Sequence, residues 1–104
     1  MLRQETVSQD EIVLVVTGSI YSDDGIEFEK KMDDLCNSKF QTITLDLSAV
    51  PSMTSGAIGK LIAVRKRLKE QNRIIRIRGC SDTLLKIFQM ILLDTLLEIT
   101  KNIV

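Results

Sequence analysis

The chain has 104 residues, 44% of them apolar, with fourteen Lys and Arg balanced by fourteen Asp and Glu, a mix that reads as one folded domain and not as a disordered chain. It has no histidine, which excludes Ser-His-Asp and Cys-His nucleophilic schemes and His-ligated metal sites. It has no tryptophan and few other aromatic residues, which argues against a base-stacking platform for nucleic acid.

Residues 3–8 are short and polar and read as an edge strand. Ile12 to Thr17 is a β-branched run closed by Gly18, the pattern of a buried strand. Ser22-Asp23-Asp24 offers a cap and an acidic first turn to a helix carrying Ile26, Phe28, Met32, Leu35 and Cys36. Between residues 40 and 47, the alternation of Ile43, Leu45 and Leu47 predicts a second strand of the parallel set. A loop follows, Ala49-Val50-Pro51-Ser52-Met53, with the only proline.

Thr54 or Ser55 then caps a long helix whose apolar face is Ala57, Ile58, Leu61, Ile62, Val64 and Leu68. Asn72 suits its C-terminal stop, because asparagine tolerates a left-handed turn. Residues 73–78 read as a strand and Gly79-Cys80-Ser81-Asp82 as a turn. Ser81 or Asp82 caps a third helix with Leu84, Leu85, Ile87, Phe88, Ile91 and Leu92 on its apolar face. Residues 96–99 form either a last short strand or the start of a fourth helix. Strands alternating with helices predict an α/β fold with a largely parallel sheet.

Charge is unevenly spread. Residues 1–54 carry four basic and ten acidic side chains, a net of −6, and residues 55–104 carry ten basic and four acidic, a net of +6. The basic half supports either an anion-binding patch or a solvated helix face that pairs with the acidic half on folding. The absence of aromatic residues among the basic ones favours pairing. Cys36 and Cys80 form no CxxC and read as two buried thiols. The first eleven residues are too polar for a signal peptide, and the apolar stretch near 87–97 is broken by Gln89 and Asp94, so the expected location is cytoplasmic.

The segment after the central strand concentrates the functional signals. Ser52, Thr54 and Ser55 meet a helix start, with Gly56 and Gly59 in its first turns. Helix N-termini present unpaired N–H groups and partial positive charge, so a phosphoryl group there is electrostatically acceptable. A simple N-cap explains the same hydroxyls. Neither GxxxxGK[ST] nor GxGxxG is present.

The stretch Thr44-Leu45-Asp46-Leu47-Ser48-Ala49-Val50-Pro51-Ser52-Met53-Thr54-Ser55-Gly56-Ala57-Ile58-Gly59-Lys60-Leu61 resembles the signature of STAS domains, the anti-sigma factor antagonist family. Aligned without gaps, Met53 falls on the apolar residue before the motif and Ser55 on the phosphorylated serine or threonine. Thr54 replaces the usual aspartate, and Gly56-Ala57 replaces Ser/Ala-Gly. Val15 to Ile20 and Leu84 to Leu97 are similar to the flanking elements, so the resemblance covers nearly the whole chain.

The resemblance implies the STAS fold, a mixed and mostly parallel sheet of four to five strands against three to four helices, over residues 1–104. It implies a protein that is not an enzyme and uses no cofactor or metal. The implied partners are an anti-sigma factor that is a serine kinase of GHKL type, a serine phosphatase, and in weak association a second copy. Phosphorylation is implied at Ser55, with Thr54 as the other candidate. The implied partner surface comprises Ser22, Asp23, Ser52, Met53, Thr54, Ser55, Gly56, Ile58 and Gly59. The same resemblance leaves open a scaffold role in a lipid-transport, stress-sensing or anion-transport complex.

Overall fold

The computed structural model describes residues 2–18, 22–90 and 98–100. Its elements are β1 (Leu2–Thr6), β2 (Glu11–Thr17), α1 (Ser22–Cys36), β3 (Thr42–Ala49), α2 (Ser55–Glu70), β4 (Ile74–Cys80), α3 (Asp82–Met90) and β5 (Glu98–Thr100). They form one five-stranded sheet in chain order. β1 runs antiparallel to β2, and the other pairings are parallel. The α/β fold and the mostly parallel sheet are those expected, and residues 98–100 take the strand option.

Side-chain alternation sorts the sheet into two faces. Ile12, Leu14 and Val16, Ile43, Leu45 and Leu47, and Ile75 and Ile77 all join a single hydrophobic cluster. That cluster takes Phe28 and Met32 from α1, Leu61 and Leu68 from α2, and Leu84 and Phe88 from α3. All three helices therefore cover one face, as right-handed crossovers require when parallel strands follow one another across a sheet. Phe28, Phe88, Leu14 and Ile43 are among the side chains with no exposed surface, and each such burial stabilises the fold by about 1.5–3 kcal/mol.

The opposite face is largely polar. Thr44 Oγ1 donates to Glu11 Oε2 at 3.1 Å, and Arg76 Nη2 lies 3.4 Å from the same oxygen. Across the helices, Lys60 Nζ reaches both carboxylate oxygens of Asp33 at 3.1 Å. Lys60, Arg76 and Arg78 of the basic second half thus pair with acidic residues of the first half. Arg73 serves a different purpose. It donates to the carbonyls of Cys36 (2.7 Å), Phe40 (2.9 Å) and Leu35 (3.3 Å). A cation here meets the negative end of α1.

Several elements differ from expectation in detail. Gly79 and Cys80 belong to β4 and not to a turn. Ile26 is exposed, because the buried stripe of α1 runs instead through Gly25, Phe28, Met32, Leu35 and Cys36. Ile62 also lies outside the buried stripe of α2, which is Ala57, Leu61, Val64 and Leu68. Asn72 takes φ 58°, the left-handed stop expected of it. Both cysteines are buried and free. Ile91, Leu92, Leu96 and Leu97, and Ser19 and Ile20 before α1, lie outside the described residues. No described helix is long and apolar enough to cross a membrane.

Candidate functional site

Loops at the C-terminal ends of parallel strands are where such sheets place their sites, and two bulges shape that end here. From Val15↔Asp46 to Thr17↔Ala49 the β2–β3 register gains a residue on β3. From Leu45↔Ile77 to Leu47↔Cys80 the β3–β4 register gains one on β4. Gly79 takes the second bulge at φ 79°, a conformation that disfavours side chains. The bulge turns Cys80 toward the core, where it joins the hydrophobic cluster. Burial and the nearby charge of Asp82 push the Cys80 thiol up to about 11, so the inert protonated form prevails at neutral pH.

Asp46, only 6% exposed, braces the end of β3. Its Oδ1 accepts from the Ser48 N–H (3.1 Å) and the Ser48 hydroxyl (2.7 Å). Its Oδ2 lies 3.3 Å from Arg78 Nη2. The Gly18 N–H donates to Ala49 O at 3.0 Å, and the Ser81 hydroxyl donates to Val50 O at 2.9 Å. Val50 and Met53 are buried in the core. The loop between β3 and α2 is therefore held by two apolar anchors and by bonds from both neighbouring strand ends.

Thr54 caps α2. It has φ −70° and ψ 158°, and its hydroxyl oxygen accepts from the Ala57 N–H at 3.1 Å. That bond settles the choice between Thr54 and Ser55 as cap. Ser55 is the first residue of the helix and is exposed. The first turn of α2 contains no acidic residue, so its positive end is not neutralised within the helix.

The sequence-derived residues fall in three groups. Ser55, Gly56 and Gly59 are exposed on the first turns of α2, and Ser52, Thr54 and Ile58 are half-buried beside them. Met53 points into the core and supports the loop without offering surface. Ser22 and Asp23 open α1. A Cβ on Gly56 would lie 3.4 Å from Glu29 Oε2, whereas one on Gly59 would meet nothing within 4 Å. The bracing roles of Asp46 and Arg78 were not anticipated, although the position of Asp46 on the polar side of the β3 alternation was a usable signal. Glu29 beside Gly56 had none, because that contact joins separate helices. Among the described residues no cluster of His, Cys, Asp or Glu is arranged to hold a metal.

The model of the family described as "Mlab, STAS domain" matches residues 4–98. No curated protein matches the sequence significantly. Among solved structures, the chain is similar to the Bacillus cell fate determinant SpoIIAA in its phosphorylated form. Identity is 17%, coverage is 96% of this chain and 91% of that one, and the TM-score is 0.76. It is similar to a putative anti-sigma factor antagonist from Thermotoga maritima, with 18% identity, coverage of 94% and 84%, and a TM-score of 0.83. It is also similar to the SulP transporter STAS domain from Vibrio cholerae, with 18% identity, coverage of 88% and 71%, and a TM-score of 0.66. At these identities the structural likeness establishes the fold, and the family match over residues 4–98 establishes that the chain belongs to the STAS domain family.

Proposed function

We propose that this STAS domain is a non-catalytic docking module that acts as an anti-sigma factor antagonist. In this reading the unmodified β3–α2 corner binds an anti-sigma factor that is a serine kinase of GHKL type, and so releases a sigma factor. Phosphorylation of Ser55 switches binding off, and a serine phosphatase restores it. One observation carries the reading: Thr54 supplies the cap, which leaves the Ser55 hydroxyl exposed at the positive end of α2. A phosphoryl group of about −1.5 to −2 charge is tolerated by the fold at that end. The same charge opposes docking against any surface that offers it no cation. Similarity to a protein solved in a phosphorylated form supports the assignment.

Thr54 favours a second reading. It stands where an aspartate is usual, and its hydroxyl is engaged by the cap. A STAS scaffold subunit of a membrane lipid-transport or stress-sensing complex would need no switch. Peptide-resolved mass spectrometry after incubation with Mg-ATP and native cell extract distinguishes the two, with Ser55→Ala run in parallel. Phosphate on Ser55, absent from the mutant, is the expected result. Phosphate on Thr54 alone moves the acceptor by one residue. No phosphate where a control antagonist is modified leaves the scaffold.

A further inference from the structure

Asp33 and Lys60 close the seam between α1 and α2, with Lys60 Nζ 3.1 Å from both oxygens of the Asp33 carboxylate. One turn back on each helix this pairing has no counterpart. There Glu29 faces Gly56, and its Oε2 would lie 3.4 Å from a Cβ on that glycine. Glu29 is half-buried, yet it makes no hydrogen bond or ion pair among the described residues. Its neighbours one turn away on α1 are Gly25, Ile26, Met32 and Asp33, none of them a cation. Carboxylates withdrawn from water are ordinarily paired or hydrogen-bonded.

Gly56 has no side chain to cover this carboxylate, and it is itself exposed. A Cβ there would rest against Glu29 and shield it. Ser55, also exposed, is the residue before Gly56. Ile26 lies one turn before Glu29 and is 66% exposed, an apolar surface that water meets unfavourably. Thr54, which stands where an aspartate is usual, brings no charge of its own. Adjoining turns of two packed helices thus carry an exposed hydroxyl, an unanswered carboxylate and an open apolar side chain.

We propose that Glu29 is the charge by which the Ser55 corner selects its partner, a surface that presents a lysine or arginine to Glu29 and an apolar side chain to Ile26. The inference rests on the switch described above and names the chemistry of the face that docks there. Docking completes the burial of a carboxylate that is already half withdrawn from water. That is costly unless a cation meets it, and neither helix has one to spare, since Lys60 is held by Asp33. The cation must therefore come from the partner. The charge count also gives the direction of the switch. One cation neutralises Glu29 in the unmodified corner. A phosphoryl group on Ser55 adds a further charge of about −1.5 to −2, which the same cation cannot also answer.

The test incubates the full chain with Mg-ATP and native cell extract and reads the initial rate of phosphate incorporation at Ser55 by peptide-resolved mass spectrometry. Glu29→Gln keeps the shape of the side chain and removes its charge. It should lower that rate about fivefold, with an unchanged circular dichroism spectrum. The ratio of parent to variant should shrink as salt is raised, a response that lost packing would not give. Adding Thr54→Asp to Glu29→Gln returns a carboxylate two residues from Gly56 and keeps the cap, and it should restore most of the rate. Equal rates in parent and Glu29→Gln, a deficit indifferent to salt, or a double variant that does not recover would each overturn the role of Glu29 and leave the Ser55 switch standing. No phosphate on Ser55 of the parent, where a control antagonist is modified, would overturn the switch and this inference with it.

Discussion

Replacing Ser55 by aspartate should leave the fold slightly more stable while it imitates the proposed phosphorylated state. The first turn of α2 has no acidic residue, and an exposed carboxylate at a helix N-terminus stabilises by about 0.3–1 kcal/mol. Glu29 opposes this. Its Oε2 would lie 3.4 Å from a Cβ on Gly56, the next residue, so the new charge enters on the same helical turn that Glu29 approaches. Repulsion between exposed charges costs a few tenths of a kcal/mol, which leaves a net gain of about 0.3 kcal/mol. Urea denaturation of Ser55→Asp alone and with Glu29→Gln separates the two contributions. The gain should approach 1 kcal/mol when Glu29 is neutral, and should vanish near 1 M salt, where the screening length is about 3 Å. A loss above about 1 kcal/mol would mean that Ser55 is not an exposed first-turn residue. The sign matters for function, because loss of partner binding in a variant at least as stable as the parent reports on the interface.

The remaining predictions concern stability. Thr54→Ala removes the acceptor of the Ala57 N–H and should cost about 1 kcal/mol in chemical denaturation, with Thr54→Asp retaining the cap. Gly59→Ala adds a Cβ that meets nothing within 4 Å inside α2; it should stabilise by about 0.8–1 kcal/mol and raise the Tm by about 3–8 °C, and a fall in Tm would reveal an unseen clash. Arg73→Met deletes bonds to three carbonyls around the end of α1 and should cost about 2 kcal/mol, with Arg73→Lys recovering part of it. Cys80 is held protonated to about pH 11 against an ordinary value of 9.0. Its contribution to stability is complete below pH 9 and is lost as pH rises through 11, so Cys80→Ala should flatten the alkaline limb of a stability–pH profile.

Much of this architecture was legible from local pattern. The alternation of Ile43, Leu45 and Leu47 marked β3, and the apolar spacing from Ala57 to Leu68 marked α2. Local pattern failed where the contact was not local. Gly79 and Cys80 read as a turn because glycine usually punctuates, yet β3 draws them into the ladder through a bulge. Ile26 read as core because it is apolar, yet Gly25 occupies the buried stripe. At the site, a hydroxyl pair before a helix left two candidates for one cap. Only the bond from the Ala57 N–H assigns it to Thr54 and frees Ser55.

Arg73 stands just before β4, at the end of the sheet remote from Ser55. There it ties the exit of α1 to the turn after α2. Under the proposed function, fastening and recognition then lie at opposite poles of the molecule. On that proposal, a change at the Arg73 pole should alter how much folded protein a cell holds, and a change at the Ser55 pole should alter what that protein meets. The two properties could then drift independently, and such a separation would let one scaffold acquire new partners while keeping the clasp that holds it together.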